Sequence, residues 1–212
     1  MRSRREAIAS MLLRLRAMGL PHRLMTAFEA VPRQNFVPVM YLDDSYLAGQ
    51  LPIECGQTMP SPDQTAKTLL ALDVQAEHRV LEVGTGTGYQ AALLGTLGKK
   101  VITLERFRTL VDKAQQRLST LGIDNVEVRL ADGREGLADQ TFDRIVVNCA
   151  YEEAPRFFLD QLAGNGILIA PVGPANGAQL VQKFIKTGSR FEVSDLFEVR
   201  MQPFMQGVSQ AI

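Results

Sequence analysis

The sequence predicts an α/β fold built on a doubly wound, mixed sheet of seven strands, with helices ahead of it and an antiparallel hairpin closing it. Three observations predict this. Short apolar runs of strand length alternate with segments of helical period from Arg79 to Val147. Arg79-Val-Leu-Glu-Val-Gly-Thr-Gly-Thr-Gly-Tyr89 reads as a buried strand running into a glycine-rich turn and then a helix. Gln179 to Lys186 and Arg190 to Val199 flank Thr187-Gly-Ser189 as a hairpin, which makes the last strands antiparallel.

In chain order, Ile8, Met11, Leu12, Leu15 and Met18 fall on one helical face that Gly19 ends, and Pro21 opens a second helix through Leu24, Phe28 and Val31. Arg4, Arg14 and Arg16 lie on the opposite face and are expected to be solvated. From Val31 to Cys55 the periodicity is weak, and Pro32, Pro38, Tyr41, Asp43, Asp44 and Tyr46 point to a long ordered loop against the site. Ser61 as N-cap, Pro62 at N1 and Gln64 at N3 announce a helix from Asp63 to Leu72, with the pattern of a capping box. After the glycine-rich unit come a strand Lys100 to Leu104 closed by Glu105, a helix from about Arg108 to Leu121, and strands Val126 to Leu130, Phe142 to Val147 and Ile167 to Ala170.

Composition narrows the function. The 212 residues fit one domain, and 46% hydrophobic with 22% charged is ordinary for a globular core. Lys plus Arg equals Asp plus Glu at 23 each, so there is no net field to hold nucleic acid or an anionic membrane. Met1-Arg-Ser-Arg-Arg5 imitates the start of a secretory signal, but Arg14 and Arg16 interrupt its apolar core, and no run is long enough to span a bilayer. Cys55 and Cys149 match no metal or CxxC spacing, so no metal site is expected, and two free thiols suit a reducing cytoplasm.

Polar residues gather at the carboxyl ends of the predicted strands: Glu82, Glu105, Asp132 and Asn148. That edge is where open α/β sheets bind ligands. Gly84, Gly86 and Gly88 allow a sharp bend and close approach of a ligand, with the amides of the following helix facing it. Read from Gly84, the dinucleotide pattern G-x-G-x-x-G fails at Tyr89; read from Gly86, Gly86-Thr-Gly-Tyr-Gln-Ala91 fits G-x-G-x-x-A, so the glycines alone leave a nicotinamide cofactor open. Glu105 suits a ribose hydroxyl with either ligand. Glu82 is expected to oppose an ammonium group and Asp132-Gly133 to meet an adenine edge, which together describe S-adenosyl-L-methionine. His22 and His78 lie outside the strand ends, and no hydride-transfer acid or base is evident.

Glu82-Val-Gly-Thr-Gly-Thr-Gly-Tyr-Gln-Ala91, Asp132-Gly133, Arg33-Gln-Asn-Phe-Val-Pro38, Leu51-Pro-Ile-Glu-Cys-Gly-Gln-Thr58, Gln161-Leu162 and Pro171-Val-Gly173 resemble the protein-L-isoaspartate O-methyltransferase family over nearly the whole chain. The Glu-Val-Gly-Thr-Gly core is shared by many methyltransferases, whereas Gly-Gln-Thr ahead of a Pro-started helix is particular to this family. The resemblance implies a Rossmann-like class I methyltransferase fold, with 1–72 supplying helices and an acceptor-side loop and 73–212 the cofactor-binding sheet. It implies transfer of a methyl group to the carboxylate of L-isoaspartyl residues in damaged proteins or peptides, for repair, by a monomeric cytoplasmic enzyme.

The cofactor-binding residues expected on this reading are Gln57, Glu82, Val83, Gly84, Thr85, Gly86, Gly88, Glu105, Arg106, Asp132, Gly133 and Asn148. A carboxylate of ordinary pKa about 4 is already ionised at neutral pH, so the chemistry needs alignment rather than a general base. One position departs from the family's Gly-Gln-Thr-Ile-Ser-x-Pro: Pro60 stands where the serine is expected. Thr58 and Ser61 are the candidate catalytic hydroxyls, with Ser61 also wanted as helix cap. The alternative is a cofactor-binding paralogue with another carboxylate acceptor or no repair activity.

Overall fold

The computed structural model describes residues 4–209; the start of the basic run Met1-Arg-Ser-Arg-Arg5 lies outside them. Helices α1 (Arg4–Ala17), α2 (His22–Ala30) and α3 (Pro62–Leu72) precede the main sheet, and between α2 and α3 a two-residue pair β1 (Leu51–Pro52) and β2 (Thr58–Met59) forms a minimal antiparallel ladder. The sheet contains β3 (Arg79–Val83), β4 (Lys100–Glu105), β5 (Val126–Leu130), β6 (Phe142–Val147), β7 (Leu162–Val172), β8 (Gln179–Thr187) and β9 (Arg190–Val199), with α4 (Tyr89–Leu97) and α5 (Arg108–Thr120) in the first two crossovers. Its order is β5-β4-β3-β6-β7-β8-β9. The first five are parallel, and β8 and β9 run antiparallel to their neighbours, as the hairpin signal predicts.

The chain winds outward from β3 through β4 to β5, then returns to place β6 on the other side of β3. The order therefore reverses between β3 and β6, and the crevice beyond their carboxyl ends is the natural ligand position. Period-two alternation builds a separate core on each face. Val80, Val101 and Val146 join the helix-side core with Leu93, Leu94 and Leu110; Leu81, Val83, Ile102, Leu104, Ile145 and Val147 join the opposite one. That second face departs from the expected alternation of strand and helix. Neither the β5–β6 nor the β6–β7 connection contains an α-helix; a 3-10 turn (Arg156–Leu159) covers the face instead, through the fully buried Phe158. The fifth strand is also longer than Ile167 to Ala170: pairing begins at Leu162, and the register jumps before Ile167 because Gly164-Asn-Gly166, with Asn165 at φ 62°, bulges out.

The segment expected as a long loop is ordered in 3-10 turns (Arg33–Phe36, Val39–Asp44 and Glu54–Gly56). Arg33 holds it down. This side chain is 1% exposed, lies 4.9 Å over the Tyr89 ring, and donates from Nε to Ser45 O at 2.8 Å and from Nη2 to Pro60 O at 2.6 Å. Burial lowers its pKa to about 10, so it is still a cation at neutral pH. One buried charge thus fixes the loop that carries Pro60 against the first turn of α4. Arg14 is likewise not the solvated residue expected: its guanidinium takes both Asp63 oxygens at 3.0 Å and also donates to Tyr46 O at 2.9 Å, binding α1 to α3. No helix among the described residues is long and apolar enough to cross a membrane.

Candidate active site

A cleft of about 210 Å3 opens at the carboxyl ends of β3, β4, β5 and β6, bounded by the glycine turn on one side and the Gln57 to Pro60 segment on the other. The turn forms because glycine tolerates φ of +90° at Gly84 and +54° at Gly86, where an L side chain would be strained. Gly84 N donates to Leu104 O at 2.8 Å, seating the bend on β4, and a Cβ on Gly84 would stand 3.2 Å from Asn148 Cβ. The turn is therefore packed against the end of β6.

Of the residues predicted from sequence, Gln57, Thr58, Val83, Gly84, Thr85, Gly86, Glu105, Arg106, Asp132, Gly133 and Asn148 line this cleft. Three do not. Glu82 is 0% exposed and stands one layer behind the wall. Its Oε1 accepts from Gln90 Nε2 at 3.1 Å and Asn148 Nδ2 at 3.2 Å, and its Oε2 accepts from Thr103 Oγ1 at 2.6 Å. Strand alternation explains this, since Glu82 shares the face of Val80 beneath α4. Among the described residues its bonded partners are neutral, and burial raises its pKa to about 7. Glu82 thus contacts Gln90 and Asn148 and does not reach the cleft surface, where the sequence predicts it opposite an ammonium group.

Gly88 is the second correction. It has φ +87° and serves helix packing, because a Cβ there would come 3.1 Å from Ala114 Cβ on α5. Ser61 is the third. It lies outside the cleft lining, and its Oγ accepts from Gln64 N at 3.1 Å as the α3 cap. The reciprocal half of the capping box is not made; Gln64 Nε2 turns instead to Met201 Sδ at 3.3 Å. Replacing Ser61 by Ala is expected to remove about 1 kcal/mol of stability with no change in affinity for S-adenosylhomocysteine. Denaturant titration and calorimetry check this; an affinity loss at unchanged stability would refute the cap.

Glu105 lines the cleft at the end of β4 and is more engaged than a free acceptor. Its Oε2 accepts from Gly86 N at 2.9 Å, and its Oε1 from Arg106 N at 2.8 Å and Phe107 N at 3.1 Å. Burial raises its pKa, and the three amides offset that by favouring the carboxylate. A carboxylate placed so retains acceptor capacity beyond these bonds. Asp132 Oδ1 accepts from Arg134 N at 3.0 Å and its Oδ2 from Gly207 N at 2.7 Å; Arg106 Nε in turn donates to Gly207 O at 3.0 Å.

The segment after β9 is the part of the site that sequence reasoning missed. Met201, Gln202, Pro203, Phe204 and Met205 line the cleft, and the Phe204 ring stacks on Tyr151 at 5.2 Å. An apolar run Met201-Gln-Pro-Phe-Met205 beyond the last strand was the available signal. Cys149 also faces the cleft, its thiol pushed up to about 12 by burial and so protonated at neutral pH. Among the described residues no group of three or more His, Cys, Asp or Glu side chains stands close enough to hold a metal ion.

The family profile described as Protein-L-isoaspartate(D-aspartate) O-methyltransferase (PCMT) matches residues 6–209. The chain belongs to this family. Its relatives include the protein-L-isoaspartate O-methyltransferase of Azorhizobium caulinodans, 43% identical over 203 residues that cover 95% of this chain and 94% of the relative. The protein of the same name from Rhodopseudomonas palustris strain BisB18 is 44% identical over 202 residues, 94% of each chain.

A solved protein-L-isoaspartate O-methyltransferase superposes on this PCMT-family chain with a TM-score of 0.83 at 25% identity, covering 95% of this chain and 67% of that one. A putative member from Plasmodium falciparum, solved in complex with S-adenosyl-L-homocysteine, gives a TM-score of 0.80 at 23% identity over 92% and 97% of the two chains, and shows the same fold. The seven-stranded mixed sheet is thus that of the PCMT family, including the antiparallel β8 and β9.

Proposed function

We propose that this protein is an S-adenosylmethionine-dependent carboxyl O-methyltransferase that esterifies L-isoaspartyl residues in damaged proteins and peptides, the first step of their repair. The observation that carries this reading is the family match across residues 6–209, on a chain whose motif residues converge on one cleft. The cleft suits such a cofactor on its own features. Gly84 and Gly86 present backbone without Cβ, and Gly133 could not carry one, since it would meet Val83 Cγ1 at 2.5 Å. Glu105 stands at the wall with acceptor capacity for ribose hydroxyls, and Phe107, Leu110 and Met205 offer apolar surface for a purine.

The cleft residues would hold S-adenosylmethionine, which would supply a methyl group from its sulfonium sulfur to an acceptor carboxylate oxygen, the C–S electron pair remaining on sulfur. No proton moves, so the protein needs no base. Cys149 is protonated and Glu82 is sealed from the cleft, which leaves alignment and exclusion of water as the work of the site. The two free thiols agree with a reducing cytoplasm, and we read the protein as acting there as a monomer, on polypeptides rather than nucleic acid.

The test is methyl transfer from labelled S-adenosylmethionine to a peptide with one L-isoaspartyl residue, read as base-released methanol. Labelled methanol from that peptide and none from its aspartyl counterpart is the expected result; silence with the isoaspartyl peptide sinks the reading. One observation favours a second reading with a different carboxylate acceptor: Pro60 offers no hydroxyl, and that of Ser61 is taken by Gln64 N. Transfer to another acid, with the isoaspartyl peptide inert, would select it.

A further inference from the structure

Beside the main cleft lies a recess of about 10 Å3, room for roughly one water-sized group. The two spaces share Pro60, Thr65, Gln90, Asn148 and Met201 as lining, so the recess is an inner corner of the same site. Thr65 is 2% exposed, yet it borders both spaces. Among the described residues its hydroxyl takes part in no hydrogen bond, while its backbone N–H donates to Ser61 O at 3.0 Å at the start of α3. The hydroxyl is thus uncommitted where the residue borders the two spaces, and it is available to donate to a group that enters them.

The other hydroxyls of the cleft are disposed differently. Thr85 Oγ1 is bonded to Thr103 Oγ1 at 2.6 Å. Thr87 and Tyr89, whose buried OH has no hydrogen-bond partner among the described residues, line the cleft but do not reach the recess, Thr68 lines the recess but not the cleft, and Thr58 is exposed on β2. Resting on the carboxyl-methyltransferase reading above, we propose that Thr65 is the residue that holds the acceptor carboxylate, donating its Oγ1 hydrogen to the oxygen that does not attack. That oxygen fills the inner corner while the other is left toward the cleft. The assignment makes physical sense of Pro60: the hydroxyl is delivered from the second turn of α3 instead of from the loop before it. Arg33, by fixing Pro60 O, holds the loop so that this corner stays open.

The test is Thr65→Val, which keeps the shape and deletes the hydroxyl, beside Thr65→Ser, which restores it. For the isoaspartyl peptide, T65V is expected to lower kcat/KM by about ten- to a hundredfold, chiefly through KM. It should weaken peptide binding to the S-adenosylhomocysteine complex by a similar factor in calorimetry. Affinity for S-adenosylhomocysteine alone and the melting temperature should stay at wild-type values, and T65S should recover most of the loss. T65V peptide binding and kcat/KM within threefold of wild type would overturn the assignment while leaving the methyltransferase reading intact. So would a parallel fall in S-adenosylhomocysteine affinity, which would mark Thr65 as cofactor scaffolding. A wild-type protein that neither binds nor methylates the peptide would remove both.

Discussion

Gly84→Ala is expected to weaken S-adenosylhomocysteine binding more than tenfold and to lower the melting temperature by about 3–10 °C. The backbone at Gly84 holds φ +90°, where a Cβ costs about 1–3 kcal/mol. The same Cβ would press on Asn148 Cβ from 3.2 Å. Relief requires the turn to rotate, which moves Gly84 N off Leu104 O and displaces Asn148 from Gly84 O, now 3.1 Å from its Nδ2. Both shifts change the cleft wall, so stability and affinity should fall together. Scanning calorimetry and ligand titration read the two losses separately, and a variant that binds within twofold at an unchanged melting temperature would show that the bend is not what shapes the site.

The second large effect is a pH dependence centred on Glu82. Its carboxyl has an ordinary value of 4.5 and is raised to about 7 by burial in the folded chain. The folded state therefore binds this proton more tightly than the unfolded state between those values. The group's contribution is most favourable below pH 4.5, declines as pH rises toward 7, and is level above it, a total change of about 3 kcal/mol. Glu82→Gln removes the titration while keeping an oxygen for Gln90 and Asn148, and the Thr103 hydroxyl can turn to accept from the new amide. Between pH 4.5 and 7.5 the wild type should lose about 3 kcal/mol more than E82Q in urea unfolding. Glu105 is also raised by burial and contributes the same sign to both proteins, and because its charge helps to raise Glu82 the difference reports Glu82 together with that coupling. Parallel pH profiles for the two would refute the assignment.

What could be read in advance follows the range over which each signal acts. Strands β3 to β6, α3 with its Ser61 cap and the glycine turn are written locally, in period, in capping chemistry and in residues that alone accept positive φ. The role of Glu82 was also within reach, because period two sets it under α4 with Val80 while Leu81 and Val83 face away. Its nearness to the glycines hid that. Thr65 reads as an unremarked helical residue until the fold brings the glycine turn, β6 and Met201 around it. The β5–β6 and β6–β7 connections carry no helical period, and no α-helix forms there. The wall made by Met201 to Met205 depends on where β9 ends in space, and no local pattern encodes that.

The placement of that wall has a consequence for a shortened chain. Gly207 meets Asp132, and Phe204 meets Tyr151, only after the polypeptide has passed every strand of the sheet. All seven strands together still lack one side of the pocket. A released polypeptide ending near Val199 would therefore contain its whole sheet and yet grip the methyl donor weakly, which ties tight binding to the residues beyond the last strand rather than to the folding of the core.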